Sequence, residues 1–195
     1  MSMYKRVKKD TKWTIQKLGK FNIDSIKDEI LTFNEEWLLD ISRQNTGTTH
    51  MNTFMFRLFA TDYTWMPGQP LITEYVNNFK TDGARKQASE IYKILEDYYS
   101  GKVVRCEIIK LKAQSEVYKH TDGGAMLHYS RRVHIPIITD KLATFTVMNN
   151  TLHMEEAGWY EINNQLPHSV LNASNIDRIH MIIDILPDDM LNYYG

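Results

Sequence analysis

From residue 102 to residue 187 the chain carries no helical pattern, and this constrains its fold more than any other feature. Short segments rich in β-branched and aromatic residues follow one another there, at 103–111, 131–138, 144–148, 158–162 and 178–186. Turn-forming residues divide them, among them Asp122-Gly123-Gly124, Asn149-Asn150 and Asn163-Asn164. Such side chains suit a pleated, half-buried surface. Strands that succeed one another without helical crossovers pair antiparallel, so the region is expected to close into a sandwich, a barrel or a jelly roll.

The first half is different. Two segments, 13–18 and 53–59, read as strands, but two others have helical spacing. After Asp24, a candidate N-cap, Ile26, Ile30, Phe33 and Trp37 recur on one face. After Asp82-Gly83, Ala84, Ala88, Ile91, Leu95 and Tyr98 do the same, and Ser100-Gly101 gives a stop signal. Each helix has one apolar stripe and is expected to pack on something flat. With no linker, repeat or low-complexity run, 1–195 reads as one domain: a helix-bearing part over 1–101 and a β core over 102–187. At 195 residues the chain is long enough to bury a core unaided.

Composition removes several function classes. The formal net charge is −1, so no global field draws nucleic acid or an anionic membrane. The basic start, Lys5-Arg6-Val7-Lys8-Lys9, reads as a solvated terminus. The single cysteine, Cys106, allows no intrachain disulfide and reads as a packed strand thiol. No apolar run is long enough to span a bilayer, and no secretory signal pattern opens the chain, so a cytoplasmic location is expected. The oligomeric state is not legible.

Against this background His120-Thr121-Asp122 stands out. Residues i and i+2 of a strand share a face, so His120 and Asp122 are expected to aim at one point. His168, after Pro167, begins another extended segment and supplies a third candidate ligand. Two imidazoles and one carboxylate form a facial triad, which leaves metal positions open and suits non-haem Fe(II) oxygenases. Arg178 opens the last strand. Its planar fork suits the far carboxylate of a cosubstrate whose 2-oxo acid end chelates the metal. On that strand Ile179, Met181, Ile183 and Ile185 share one face, and Arg178, His180, Ile182 and Asp184 the other. His50, His128, His153 and His180 are read as surface or hydrogen-bonded structural residues. Arg57, Arg131 and 63–65 (Tyr63 to Trp65) are candidates for gripping a substrate.

The stretch 120–186 resembles the aspartyl/asparaginyl β-hydroxylase family of Fe(II)- and 2-oxoglutarate-dependent oxygenases. The resemblance is carried by His120-Thr121-Asp122, Arg132-Val133-His134-Ile135-Pro136-Ile137, Gly158-Trp159-Tyr160-Glu161-Ile162-Asn163, His168-Ser169-Val170-Leu171-Asn172, Arg178 and Asp184, with a weaker likeness at 52–57. It implies a double-stranded β-helix, a cupin-like jelly roll that is mainly β with flanking helices. It also implies iron on His120, Asp122 and His168, and 2-oxoglutarate on Arg178 with help from Arg132 and His134. The reaction it implies uses dioxygen to hydroxylate an amino-acid side chain, free or in a peptide or protein. The stretch 123–131 is longer than the family pattern, which leaves the substrate open. Two other readings compete: a cupin-type metalloenzyme that uses no 2-oxoglutarate, and a non-catalytic β-sandwich binding module.

Overall fold

A computed structural model describes residues 13–45 and 47–191. The basic start at Lys5-Arg6-Val7-Lys8-Lys9 lies outside the described residues. In chain order the strands are β1 (Ile15–Lys20), β2 (Thr53–Thr61), β3 (Thr73–Tyr75), β4 (Gly101–Leu111), β5 (Ser115–His120), β6 (Arg131–Ile138), β7 (Ala143–Val147), β8 (Asn150–Leu152), β9 (Gly158–Ile162), β10 (His168–Asn172) and β11 (Arg178–Pro187). The helices are α1 (Asp24–Ile30), α2 (Ser42–Asn45), α3 (Asp82–Tyr99), α4 (Ala125–Tyr129) and α5 (Asp188–Leu191).

Two antiparallel sheets form. The larger runs β1-β9-β6-β11-β4-β2-β3, the smaller β5-β10-β7-β8. From β4 onward the chain crosses repeatedly between them, with only β7 and β8 consecutive in one sheet. This is the winding of a double-stranded β-helix, mainly β with helices at its flank, as the sequence leads one to expect. Ile179, Met181, Ile183 and Ile185 face outward from the large sheet, into a core with Ala84, Ala88, Ile91 and Leu95 of α3 and Ile26 and Ile30 of α1. A second apolar cluster, including Val117, Phe145, Met154 and Ile162, fills one end of the space between the sheets.

Three expectations need correction. The stripe Ile26, Ile30, Phe33 and Trp37 is buried as expected, but one helix does not carry it. α1 stops at Ile30, and Trp37 sits in a separate 3-10 turn at Glu35–Leu38. Thr32 Oγ1 donates to the Glu29 carbonyl (2.7 Å), and the Asn34 amide donates to the Glu36 carboxylate (3.0 Å). Local side-chain bonds of this kind offer the backbone an alternative to helix. Asp24 is the first helical residue and not the cap, and its amide donates to Asn22 Oδ1 (3.0 Å). The region 102–187 does contain a helix, α4, whose residues Met126, Leu127 and Tyr129 are buried. With only five residues it is too short for a periodic signal.

α3 is capped from outside. The Thr81 side chain accepts from the Ala84 amide (3.3 Å). Buried Glu29 accepts from the Lys80 amide (2.7 Å), the Thr81 amide (2.8 Å) and Thr81 Oγ1 (2.6 Å). One carboxylate therefore ties α1 to the start of α3. Glu29→Ala is expected to cost about 2–3 kcal/mol, because it leaves buried donors unsatisfied. A urea denaturation midpoint that fails to fall would show that water replaces the carboxylate. At the other end Ser100 is left-handed (φ 47°). Gly101 follows with no room for a Cβ against the Leu186 carbonyl, so the chain passes directly from α3 into β4.

Candidate metal centre

β5 and β10 are neighbours in the small sheet, and their register sets His120 directly opposite His168. β5 ends at His120, so Asp122 reaches the same point from a turn and not, as the strand period suggested, from the strand. Its amide donates to the Asn164 carbonyl (3.3 Å), and Arg132 clamps its Oδ2. Asp122 Oδ1 is left 3.9 Å from His120 Nε2 and 3.8 Å from His168 Nε2. One ligand atom from each residue lies within 4.8 Å of the others.

The tautomers follow from chemistry. A carbonyl only accepts, so His120 Nδ1 must donate to the Tyr118 carbonyl (2.7 Å) and His168 Nδ1 to the Leu166 carbonyl (2.9 Å). Each Nε2, 3.9 and 3.8 Å from Asp122 Oδ1, is then the ring atom left to ligate a metal. Burial lowers the His168 pKa, which keeps that lone pair free of a proton. Burial opposes ionisation of Asp122, but Arg132 overcomes this and holds the carboxyl well below its usual range. The donor set, two imidazoles and one carboxylate, fits a divalent iron.

The triad opens onto a cavity of about 710 Å³ between the sheets, also lined by Ser42, Arg43, His50, Arg57, Tyr63 and Arg105, and by Arg132, His134, Phe145 and Arg178. Arg132 and His134 share a face, as their spacing requires, and that face lines the cavity. His134 is buried, and neither ring nitrogen has a protein hydrogen-bond partner. Arg178 is also buried. Its Nη2 donates to His180 Nδ1 (2.7 Å), and its guanidinium stands 6.0 Å from the Phe145 ring centroid. Among the described residues no carboxylate lies within ion-pair range of it. Burial lowers its pKa to about 9, so it remains a cation at neutral pH.

Behind the triad runs a ladder of alternating charge. Asp122 pairs with Arg132. Arg132 Nε donates to Asp184 Oδ1 (2.9 Å), and Arg105 Nε donates to Asp184 Oδ2 (2.6 Å). Arg105 Nη1 lies 3.4 Å from Glu107, to which Arg57 Nε donates (3.0 Å). Asp184 lies opposite Arg105 on one side and Arg132 on the other, and Arg57 opposite Glu107, so the ladder crosses β6, β11, β4 and β2. Sequence reading missed Arg105, Glu107 and Arg43. The available signal was charge at alternate positions of an otherwise apolar strand.

The substrate candidates separate. Arg57 and Tyr63 line the cavity. Arg131 instead pairs with Glu161 (3.5 Å) and does not line it. Thr64 closes a local turn with Asp62, and Trp65 is core, its Nε1 donating to the Gln69 carbonyl (3.1 Å). His50 is hydrogen-bonded to Arg43 (3.1 Å), in keeping with a structural role, but it also lines the cavity with its ring 4.8 Å from that of His120. His180 is the buried partner of Arg178.

A family model described as aspartyl/asparaginyl beta-hydroxylase matches residues 20–187. No curated protein matches the chain by sequence. Among solved structures, an oxidoreductase of the 2OG-Fe(II) oxygenase family from Burkholderia pseudomallei is 12% identical, with 77% of each chain covered and a TM-score of 0.55. A viral collagen prolyl hydroxylase from Paramecium bursaria Chlorella virus-1, solved with 2OG, is 8% identical over 90% of this chain and 97% of its own, with a TM-score of 0.55. A non-heme monooxygenase, ThoJ, in a nickel complex is 9% identical over 89% of this chain and 74% of its own, with a TM-score of 0.51. At such identities these three show a shared fold. Among the described residues no helix is long and apolar enough to cross a membrane.

Proposed function

Because this chain belongs to the aspartyl/asparaginyl β-hydroxylase family, we propose that His120, Asp122 and His168 hold Fe(II), that Arg178 anchors the far carboxylate of 2-oxoglutarate, and that one domain uses dioxygen to hydroxylate an amino-acid side chain, free or in a peptide or protein. The observation that carries this reading is the convergence of two Nε2 atoms and Asp122 Oδ1 within 4.8 Å of one another, in one cavity with a buried arginine that has no carboxylate partner among the described residues. When bound together, Fe(II), 2-oxoglutarate and dioxygen supply the power to convert an unactivated C–H bond to C–OH, with succinate and carbon dioxide as coproducts.

The protein's own residues orient and shield. The Tyr118 and Leu166 carbonyls fix the two imidazoles in the metal-binding tautomer. Arg132, held by Asp184, engages Asp122 Oδ2, so that Oδ1 would be the oxygen left to hold the metal. Arg178 meets the cosubstrate's distal carboxylate with a fork that His180 holds in place. His134 presents buried ring nitrogens to the cosubstrate from the same face as Arg132. Phe145, stacked at 5.9 Å on His168, and Val117, Val170 and Ile182 exclude water from the remaining wall.

Anaerobic titration tests this reading. A weak visible absorption band is expected only when Fe(II) and 2-oxoglutarate are both present. Folded protein that binds Fe(II) but gives no band would support a cupin-type metalloenzyme without 2-oxoglutarate. Folded protein that binds no Fe(II) would support a binding module.

A further inference from the structure

Asp122 is the one candidate ligand that lies outside a strand. β5 ends at His120 and β10 begins at His168, and the two are paired across the small sheet. Asp122 lies in the turn that leads into α4. A loop lacks the ladder hydrogen bonds that hold a strand, so its backbone must be fixed by other partners. Arg132 engages the carboxylate end of Asp122, which leaves open what holds the backbone from which that side chain springs.

Asn164, in the turn between β9 and β10, closes that segment into a ring. Its carbonyl accepts from the Asp122 amide (3.3 Å), and its Nδ2 donates to the Leu127 carbonyl (3.2 Å). One residue therefore spans from the metal ligand to the middle of α4. Asn164 is fully buried, and its own amide donates to the Ile162 carbonyl (3.1 Å). The same turn supplies the Leu166 carbonyl that takes His168 Nδ1 (2.9 Å). On its other side α4 rests on Tyr63, whose carbonyl accepts from the Met126 amide (3.3 Å). Gly124, at φ 98°, approaches so closely that a Cβ there would stand 3.2 Å from that oxygen. The Leu127 carbonyl takes two further donors, Ser130 Oγ and Gln165 Nε2, each at 3.4 Å. The Gln165 side chain bonds to Leu127 and His128, and so provides a comparison: it shares the carbonyl but not the link to Asp122.

We propose, resting on the iron reading above, that Asn164 is a positioning residue of the metal centre: its side chain holds α4 against the β9–β10 turn and so keeps Asp122 where one ion can meet it together with His120 and His168. The ladder between β5 and β10 holds the two imidazoles whether or not this bond is made. Its loss is therefore felt by the carboxylate, and through the carboxylate by the metal.

The test titrates anaerobic apoprotein with Fe(II) by calorimetry and, separately, records the visible spectrum of Co(II)-loaded protein, whose bands report ligand number and geometry. Asn164→Ala is expected to lower Fe(II) affinity about ten- to hundredfold, the range for an outer partner of a metal ligand, and to alter the Co(II) bands. Gln165→Ala should leave both as in wild type. Thermal melting of the metal-free proteins is followed in parallel. Asn164→Ser, which keeps a polar group in the buried turn but is too short to reach Leu127, is the second variant should Asn164→Ala not fold. A folded Asn164 variant that keeps either the wild-type Fe(II) affinity or the wild-type Co(II) spectrum, or an equal loss in Gln165→Ala, would overturn the positioning role and leave the iron reading standing. Failure of both Asn164 variants to fold would overturn it too, by making Asn164 a residue of the fold and not of the metal centre. Wild-type protein that binds neither metal would overturn the iron reading and this inference with it.

Discussion

His168→Ala is expected to lower Fe(II) affinity by at least about a hundredfold, more than the roughly ten- to hundredfold loss that follows removal of an outer partner of a metal ligand. The residue sits at the centre of the small sheet, directly opposite His120 on one side and Val147 on the other. Two further imidazoles line the cavity, those of His50 and His134. His50 has its ring against His120, but its Nδ1 is engaged by Arg43. The substitution removes one hydrogen bond, to the Leu166 carbonyl, and two ring contacts, with Phe145 and His120. The folded state is therefore expected to survive, at a cost of about 2–4 kcal/mol. Calorimetric titration of the anaerobic apoprotein separates the two effects. A folded His168→Ala protein that binds Fe(II) as wild type does would remove His168 from the ligand set.

The contrast between what the sequence showed and what it hid has a physical basis. Strand period placed Ile179, Met181, Ile183 and Ile185 on one face and Arg178 and Asp184 on the other, and the sheet keeps that division. Period alone did not reveal which face lines a cavity, since both are buried on β11. His120 and Asp122 converge as expected but for another reason, because Asp122 lies beyond the strand and is aimed by Arg132 and the Asn164 carbonyl. Arg105 and Glu107 escaped notice because their partners, Asp184, Arg57 and Arg43, are remote in sequence and meet only through the register of four strands. His50 was hidden in the same way. A 3-10 turn carries it to the cavity, and nothing local in its sequence announces that destination.

Arg178→Met separates cosubstrate binding from stability, because the two are expected to respond differently. In the absence of ligand Arg178 is a buried cation that no carboxylate among the described residues compensates within ion-pair range, and burial already depresses its pKa to about 9. Replacing a buried charge by an apolar side chain of similar reach is often neutral or stabilising, by about 1–4 kcal/mol. Against that gain, His180 Nδ1 loses its donor, at a cost of about 1–3 kcal/mol. The apoprotein variant should thus melt close to wild type. Binding is expected to change much more. Truncating one partner of a buried, hydrogen-bonded charge pair costs about 2–5 kcal/mol, so 2-oxoglutarate affinity should fall by thirtyfold or more at about 1.4 kcal/mol per decade. Wild-type protein at a hundredfold excess of cosubstrate over its dissociation constant should gain about 2.7 kcal/mol of stability, a gain that the variant should largely lose at the same concentration. Thermal melts with and without 2-oxoglutarate, in Fe(II)-loaded anaerobic protein, measure both quantities at once. An equal ligand-induced rise in both proteins would mean that the distal carboxylate is bound elsewhere, and His134 with the Arg105–Glu107 cluster would be the next place to look.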